Sequence, residues 1–146
     1  MLLAQLLALL LAVPLGILSA FRSGSRTDAA ITTSSFALLS VPSFVLGVLL
    51  VFLFSLKLHW FPAIHHQVSF LHDPRGYARQ YFLPSLTLSL GLLAVYVRLL
   101  RTDMIATLQE DYIGVARAKG LPTSRILLRH ALRPSSFSLL TVGGIQ

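Results

Sequence analysis

The chain has 146 residues, 55% of them hydrophobic and 12% charged, with no cysteine and a mean hydropathy of +0.76. Length suits a single domain, but soluble domains carry about a quarter charged residues, so composition excludes a water-soluble one, and the hydrophobic content excludes disorder. Disulfides, thiol catalysis and cysteine-held metal are excluded as well; the net charge of +7 would suggest nucleic acid in a soluble protein, but here its placement matters more than its size.

Uncharged runs cover residues 1–21, 29–56 and 80–97, which are 21, 28 and 18 residues long. At about 1.5 Å per residue each run crosses, or nearly crosses, a hydrocarbon core about 30 Å thick. Three such runs leave too little polar chain to cover them in water. An all-α, polytopic membrane protein is predicted, with spans over about residues 1–21, 30–56 and 80–102. The middle run is longer than a crossing needs and should tilt or begin inside a loop. A cleaved leader ending at Leu18-Ser19-Ala20 would need a basic start, which Met1-Leu2-Leu3-Ala4-Gln5 lacks. Pro14 and Pro42 lie inside their runs and should kink or open the helices. Pro84 falls near the start of the third run, where a missing N–H costs little. Thr32, Thr33, Ser34, Ser35, Ser40 and Ser43 crowd the second run; in lipid such groups turn toward other helices or a polar path.

Basic residues set the orientation. Arg22 and Arg26 lie in the first connection and seven more lie between Arg98 and Arg133, against Lys57, Arg75 and Arg79 in the second connection. Nine against three places the first and third connections in the cytoplasm. Trp60, Phe61, Tyr77, Tyr81 and Phe82 then sit at the outer ends of spans two and three, as an interfacial aromatic belt would. The first connection, Arg22 to Asp28, reads as a tight hairpin with a Gly-Ser turn. The outer connection carries His59, His65, His66, His72 and Asp73. A metal could be imagined there, but adjacent His65 and His66 lack the spacing of a helical ligand pair, and loop histidines are the plainer reading.

Residues 103–134 punctuate themselves as two short helices. Glu110-Asp111 puts negative charge at a helix start and Lys119 positive charge at its end; Gly120 suits a left-handed cap, with Pro122 just beyond. A helix over about 111–119 is too short to stand alone in water and needs tertiary contacts. Tyr112, Ala116 and Gly120 fall at four-residue spacing and predict one face, small enough at two positions for close approach. Thr123 is the expected N-cap of the second helix. Arg125, Arg129 and Arg133 predict a basic stripe on it, and Pro134 its end. An apolar run from Phe137 to Gln146 begins a further span, about 136–146. On physical grounds this cytoplasmic knob docks a soluble partner, lies on lipid, or simply connects helices.

The segments Asp111-Tyr112-Ile113, Ala116-Arg117-Ala118-Lys119-Gly120-Leu121 and Leu128-Arg129-His130-Ala131-Leu132-Arg133 resemble the cytoplasmic loop of binding-protein-dependent ABC importer permeases, in the dipeptide/oligopeptide/nickel branch. Pro14 to Ala20, Pro42-Ser43-Phe44, Leu58 to Pro62, Leu83-Pro84 and Arg98-Leu99-Leu100-Arg101 are similar to that branch's other landmarks, in the same order. The resemblance implies a type I importer (MetI-like) fold, with residues 1–146 part of one transmembrane domain and residues 103–134 its cytoplasmic coupling loop. It implies an ATPase-docking coupling helix carried by Asp111, Tyr112, Ala116, Arg117, Ala118, Lys119, Gly120 and Leu121. It implies ABC ATPase subunits, a second permease subunit and an extracytoplasmic solute-binding protein as partners, beside membrane lipid, and a dipeptide or oligopeptide cargo.

The chain departs from the family's pattern at Gly114, where the broader family has Glu and this branch often Arg, and at Ser138, where a proline is usual. Family permeases have about six spans, so missing spans on both sides are expected, and a fragment alone is not expected to transport. No cofactor, metal or catalytic residue is predicted: there is no phosphate-binding G-x-x-x-x-G-K-[ST] loop, so ATP would be hydrolysed on a partner. Asp103, Glu110 and Asp111 could be imagined as acid/base carboxylates, but the last two are explained by the helix start. The rival reading is a small membrane protein that binds anionic lipid through Arg125, Arg129 and Arg133, weakened by salt. Nucleic acid is disfavoured beside a bilayer and without a recognised motif.

Overall fold

The computed structural model describes residues 1–62 and 73–145. Helix α1 (Leu2–Phe21) turns Ala4, Ala8, Ala12, Gly16 and Ala20 to one side, and all of them are buried. Residues four apart lie above one another on a helix, so the stripe forms a shallow groove that another helix can enter closely. That helix is α4 (Pro74–Leu108), whose Leu93, Tyr96, Val97, Leu100 and Met104 form the core with Ala8, Ala12 and Ala20. The closest approach is at Gly16, where a Cβ would stand 2.9 Å from Leu100 Cδ2 and 3.1 Å from Leu100 Cβ. Gly16→Ala is therefore expected to overpack the contact and destabilise it by about 1–3 kcal/mol. Leu100→Ala should remove packing and cost about 2–5 kcal/mol. The double variant should cost less than the sum of the two, because the added methyl enters the space that Leu100 vacates. Unfolding midpoints of the four proteins in mixed detergent check the cycle; strict additivity would disprove the close contact.

Helix α4 is 35 residues long, about 52 Å at 1.5 Å per residue, so it overshoots the predicted span at both ends. Its start is set locally: Pro74 occupies the first helical turn and the Asp73 carboxylate accepts from Gly76 N–H at 2.9 Å. Pro84 therefore stands inside the helix, not near its start, and its missing N–H leaves the Gln80 carbonyl without a helical donor. Pro14 likewise sits within α1 without interrupting it.

The middle run is not one tilted element. Helix α2 (Arg26–Ser40) and helix α3 (Ser43–Leu50), which continues as a π-helical segment (Val51–Lys57), meet at 98°. The break lies where Pro42 forces it: a residue before proline is pushed out of the helical region, and Val41 is extended at φ −94°, ψ 124°. Ser35 and Ser40 donate to the carbonyls of Ile31 and Phe36 in their own helix. By length and composition α1 and α4 can each cross a membrane, and the bent pair adds a third crossing if it counts as one. The aromatic residues at the far end pair as Phe61 stacked on Phe82 at 5.0 Å and Tyr77 against Tyr81 at 4.4 Å.

After α4 the chain forms helix α5 (Asp111–Ala118), a single turn α6 (Thr123–Arg125), a π-helical segment (Ile126–Ala131) and helix α7 (Leu132–Ile145). Thr123 is the first helical residue rather than the N-cap, which is Pro122. Pro134 does not end the second helix either; the helical path runs on through it into α7. Helix α7 is seated on the bundle by Leu139, which enters the main core, by the Ser135 and Thr107 hydroxyls, 3.1 Å apart, and by Gln5 of α1, which donates to the Gly143 carbonyl. No strand occurs among the described residues.

Candidate functional site

Helix α5 has only eight residues, so it is held by what it touches. Ile113 and Ala116 turn inward and meet Ile126, with Leu108 and Leu121 packed around them, in a small core separate from the main one. The opposite side carries Asp111, Gly114, Val115 and Ala118, all exposed. Their i, i+3, i+4, i+7 spacing makes one continuous stripe. Val115 is 53% exposed, a large apolar side chain left uncovered, as are Tyr112 and Leu128 of the same loop.

The eight predicted docking residues therefore divide. Asp111, Tyr112, Arg117, Ala118, Lys119 and Gly120 are exposed, Leu121 is half-buried, and Ala116 faces the loop's own core. The predicted face of Tyr112, Ala116 and Gly120 is thus split: Tyr112 and Gly120 are exposed and Ala116 turns inward, while Gly114 and Ala118 are further small residues on the outside. Four-residue spacing from Tyr112 does not reach Val115; the apolar pair Ile113 and Ile126 is the sequence signal for the inner side.

Local chemistry sets the ends of α5. Glu110 is the N-cap residue and Asp111 lies in the first turn, where carboxylates suit the helix dipole. At the other end Gly120 has φ +73°, and the Leu121 N–H reaches the Ala116 carbonyl at 3.3 Å. The two glycines of this loop should respond with opposite signs. Gly120→Ala forces a side chain into the left-handed region and costs about 1–2 kcal/mol. Gly114→Ala meets nothing within 4 Å and should stabilise the helix by up to about 1 kcal/mol. Hydrogen exchange of the α5 amides checks both.

Tyr112 links α5 to the next helix. Its hydroxyl donates to the His130 carbonyl at 3.3 Å. Pro134 has no N–H to offer that carbonyl, which lies four residues back, so the phenol takes the place of the missing donor. In the π-helical segment bonding runs five residues back, so Arg125, Arg129 and Arg133, although all exposed, no longer stack as the straight stripe that four-residue spacing predicts. A cleft of 540 Å³ separates the loop from the bundle, with Arg117 and Thr123 on one wall and Phe21 and Ile105 on the other.

The bundle beside this loop is clamped at Asp28, which is 4% exposed. Arg101 of α4 donates Nε to Oδ1 and Nη2 to Oδ2, both at 2.7 Å. Ser19 of α1 donates to Oδ1 at 2.5 Å, and Gly24 N–H of the hairpin to Oδ2 at 2.9 Å. Asp28 N–H in turn donates to the Ser25 side chain. One carboxylate thus joins α1, the hairpin, the start of α2 and α4. Asp28 stands in the first turn of α2, ahead of the uncharged run. This clamp was also missed. Its sequence signal is Ser25-Arg26-Thr27-Asp28, a S-x-x-D helix start ahead of an apolar run.

Of the imagined acid/base carboxylates, Asp103 lies within α4, while Glu110 and Asp111 serve the start of α5. His65, His66 and His72 lie outside the described residues; Asp73 caps α4, and no cluster of metal-binding side chains occurs among the described residues.

A long apolar pair of helices, a proline-broken span and a short capped helix projecting on its own small core define a polytopic membrane component. The model of one family, the binding-protein-dependent transport system inner membrane component, matches residues 12–146, and the chain belongs to that family. It is similar to the oligopeptide transport system permease protein AppB of Bacillus subtilis (strain 168), at 33% identity over 161 residues, covering 100% of this chain and 46% of that protein. It is also similar to the oligopeptide transport system permease protein OppB of Escherichia coli (strain K12), at 36% identity over 141 residues, covering 97% of this chain and 44% of that protein. The chain thus spans about half the length of the curated relatives it matches.

Proposed function

We propose that this chain forms part of the permease subunit of an ATP-driven peptide importer. On this reading the three predicted spans line part of the translocation path with a second permease subunit, in a homo- or heterodimer. An extracytoplasmic binding protein delivers a dipeptide or oligopeptide, and ATP is hydrolysed on separate ABC ATPase subunits. The family and the names of the relatives support the transport class and the peptide cargo.

Helix α5 with its cap, residues Asp111–Leu121, is the coupling helix. The observation that carries this reading is its division into two sides: Ile113 and Ala116 fasten it to the loop, while Gly114, Val115 and Ala118 are left bare, the first and last of them small. A groove on an ATPase can close tightly over such a surface. Closure of the ATPases around ATP would then drag α5, and α5 would pull the helix it is packed on, which leads through the π-helical segment into α7. A two-state permease needs this kind of differential contact.

Co-purification of the full permease with its own ATPase subunits tests the reading. Capture should depend on α5 and survive loss of Arg125, Arg129 and Arg133. If no capture occurs, and vesicle binding instead disappears with those three arginines and with rising salt, the loop is a lipid-binding element.

A further inference from the structure

Between α2 and α4, near the hairpin, lies a crevice of 220 Å³ that the transport reading does not use. Leu39, Phe36, Ala94 and Val97 make its apolar part, and Thr32, Ser35, Arg98, Arg101 and Thr102 its polar part. The two helices run in opposite directions, yet polarity changes the same way on both walls. Along α2 it falls from Thr32 to Leu39, and along α4 it rises from Ala94 to Thr102. A small solute needs no such gradient, whereas an amphiphile does.

We propose that this crevice binds an anionic phospholipid, with the phosphodiester at Arg98 and Arg101 and the first acyl methylenes against Phe36 and Leu39. Charge supports this occupant. Arg101 spends two of its N–H groups on Asp28, and those two charges cancel. Arg98 has no carboxylate partner among the described residues; its guanidinium lies over the Phe36 ring, 5.7 Å from the centroid. The polar part therefore keeps one positive charge, the complement of one phosphodiester, and a planar fork suited to phosphate oxygens. Depth supports it too, because Arg98 is the first charge after the run 80–97, at headgroup level on the side rich in basic residues, where anionic lipid is attracted. The proposal is independent of ATPase docking and rests only on that orientation.

The test is native mass spectrometry of the full chain in dodecyl maltoside, titrated with dioleoyl phosphatidylglycerol or dioleoyl phosphatidylcholine. One phosphatidylglycerol should bind at least about fivefold more tightly than phosphatidylcholine. Arg98→Gln should abolish that preference. Leu39→Trp, which adds bulk to the apolar part and leaves every charge in place, should weaken phosphatidylglycerol binding by a similar factor. Arg129→Gln, outside the crevice, should change nothing, and millimolar inorganic phosphate should not displace the lipid. The proposal fails if Arg98→Gln keeps the preference, if Leu39→Trp has no effect, or if Arg129→Gln loses as much, which would mean a diffuse basic surface. Displacement by phosphate would assign the site to a soluble phosphate instead of a lipid.

Discussion

Asp28→Ala should be the most damaging single change to the bundle. It removes the acceptor shared by Ser19, Gly24 N–H and both donating nitrogens of Arg101. The loss of one partner from a buried pair costs about 3–5 kcal/mol, because the other charge stays behind unpaired. The expected result is a large drop in the detergent-unfolding midpoint, with α1, α2 and α4 loosened together. The double variant Asp28→Leu/Arg101→Met should recover most of the loss, since an apolar pair of similar volume leaves no stranded charge. If the double variant is no better than Asp28→Ala, the clamp matters for something other than charge pairing.

Val115→Asp should abolish ATPase capture while leaving the permease folded. Val115 is exposed and touches neither core, so the free chain loses nothing by the change. In a closed groove the new carboxylate would be buried without a partner, a cost of about 3–5 kcal/mol, which is more than about a hundredfold in Kd. Ala118→Trp should act alike by preventing close approach. Ala116→Trp provides the contrast: it should also end capture, but by breaking the small core with Ile113 and Ile126, and exchange of the α5 amides would then rise. Val115→Asp should leave that exchange unchanged. Wild-type capture by Val115→Asp would place the docking surface elsewhere on the loop.

These two sites behave differently because they do different work. The Asp28 clamp ties α1, the hairpin, α2 and α4 together. Helix α5 takes no part in the clamp; it rests on the π-helical segment through Ile126, on the end of α4 through Leu108, and on the His130 carbonyl through Tyr112.

The amino-acid sequence alone determined the class of this protein, because runs of apolar residues without charge have one stable environment and their length is set by the bilayer. It also determined the left-handed cap at Gly120 and the approximate extent of α5, since these depend on neighbours along the chain. Tertiary contacts decided the rest. Which side of α5 is bare depends on Ile126, ten residues past Ala116, and spacing within one helix does not reveal that partner. The phenol of α5 that bonds the carbonyl stranded by Pro134 comes from another helix. The bidentate partner of Asp28 lies 73 residues away, and the small stripe from Ala4 to Ala20 acquires meaning only once Leu100 lies in it. Local rules choose backbone conformation; which atoms meet across the bundle is settled when the helices pack.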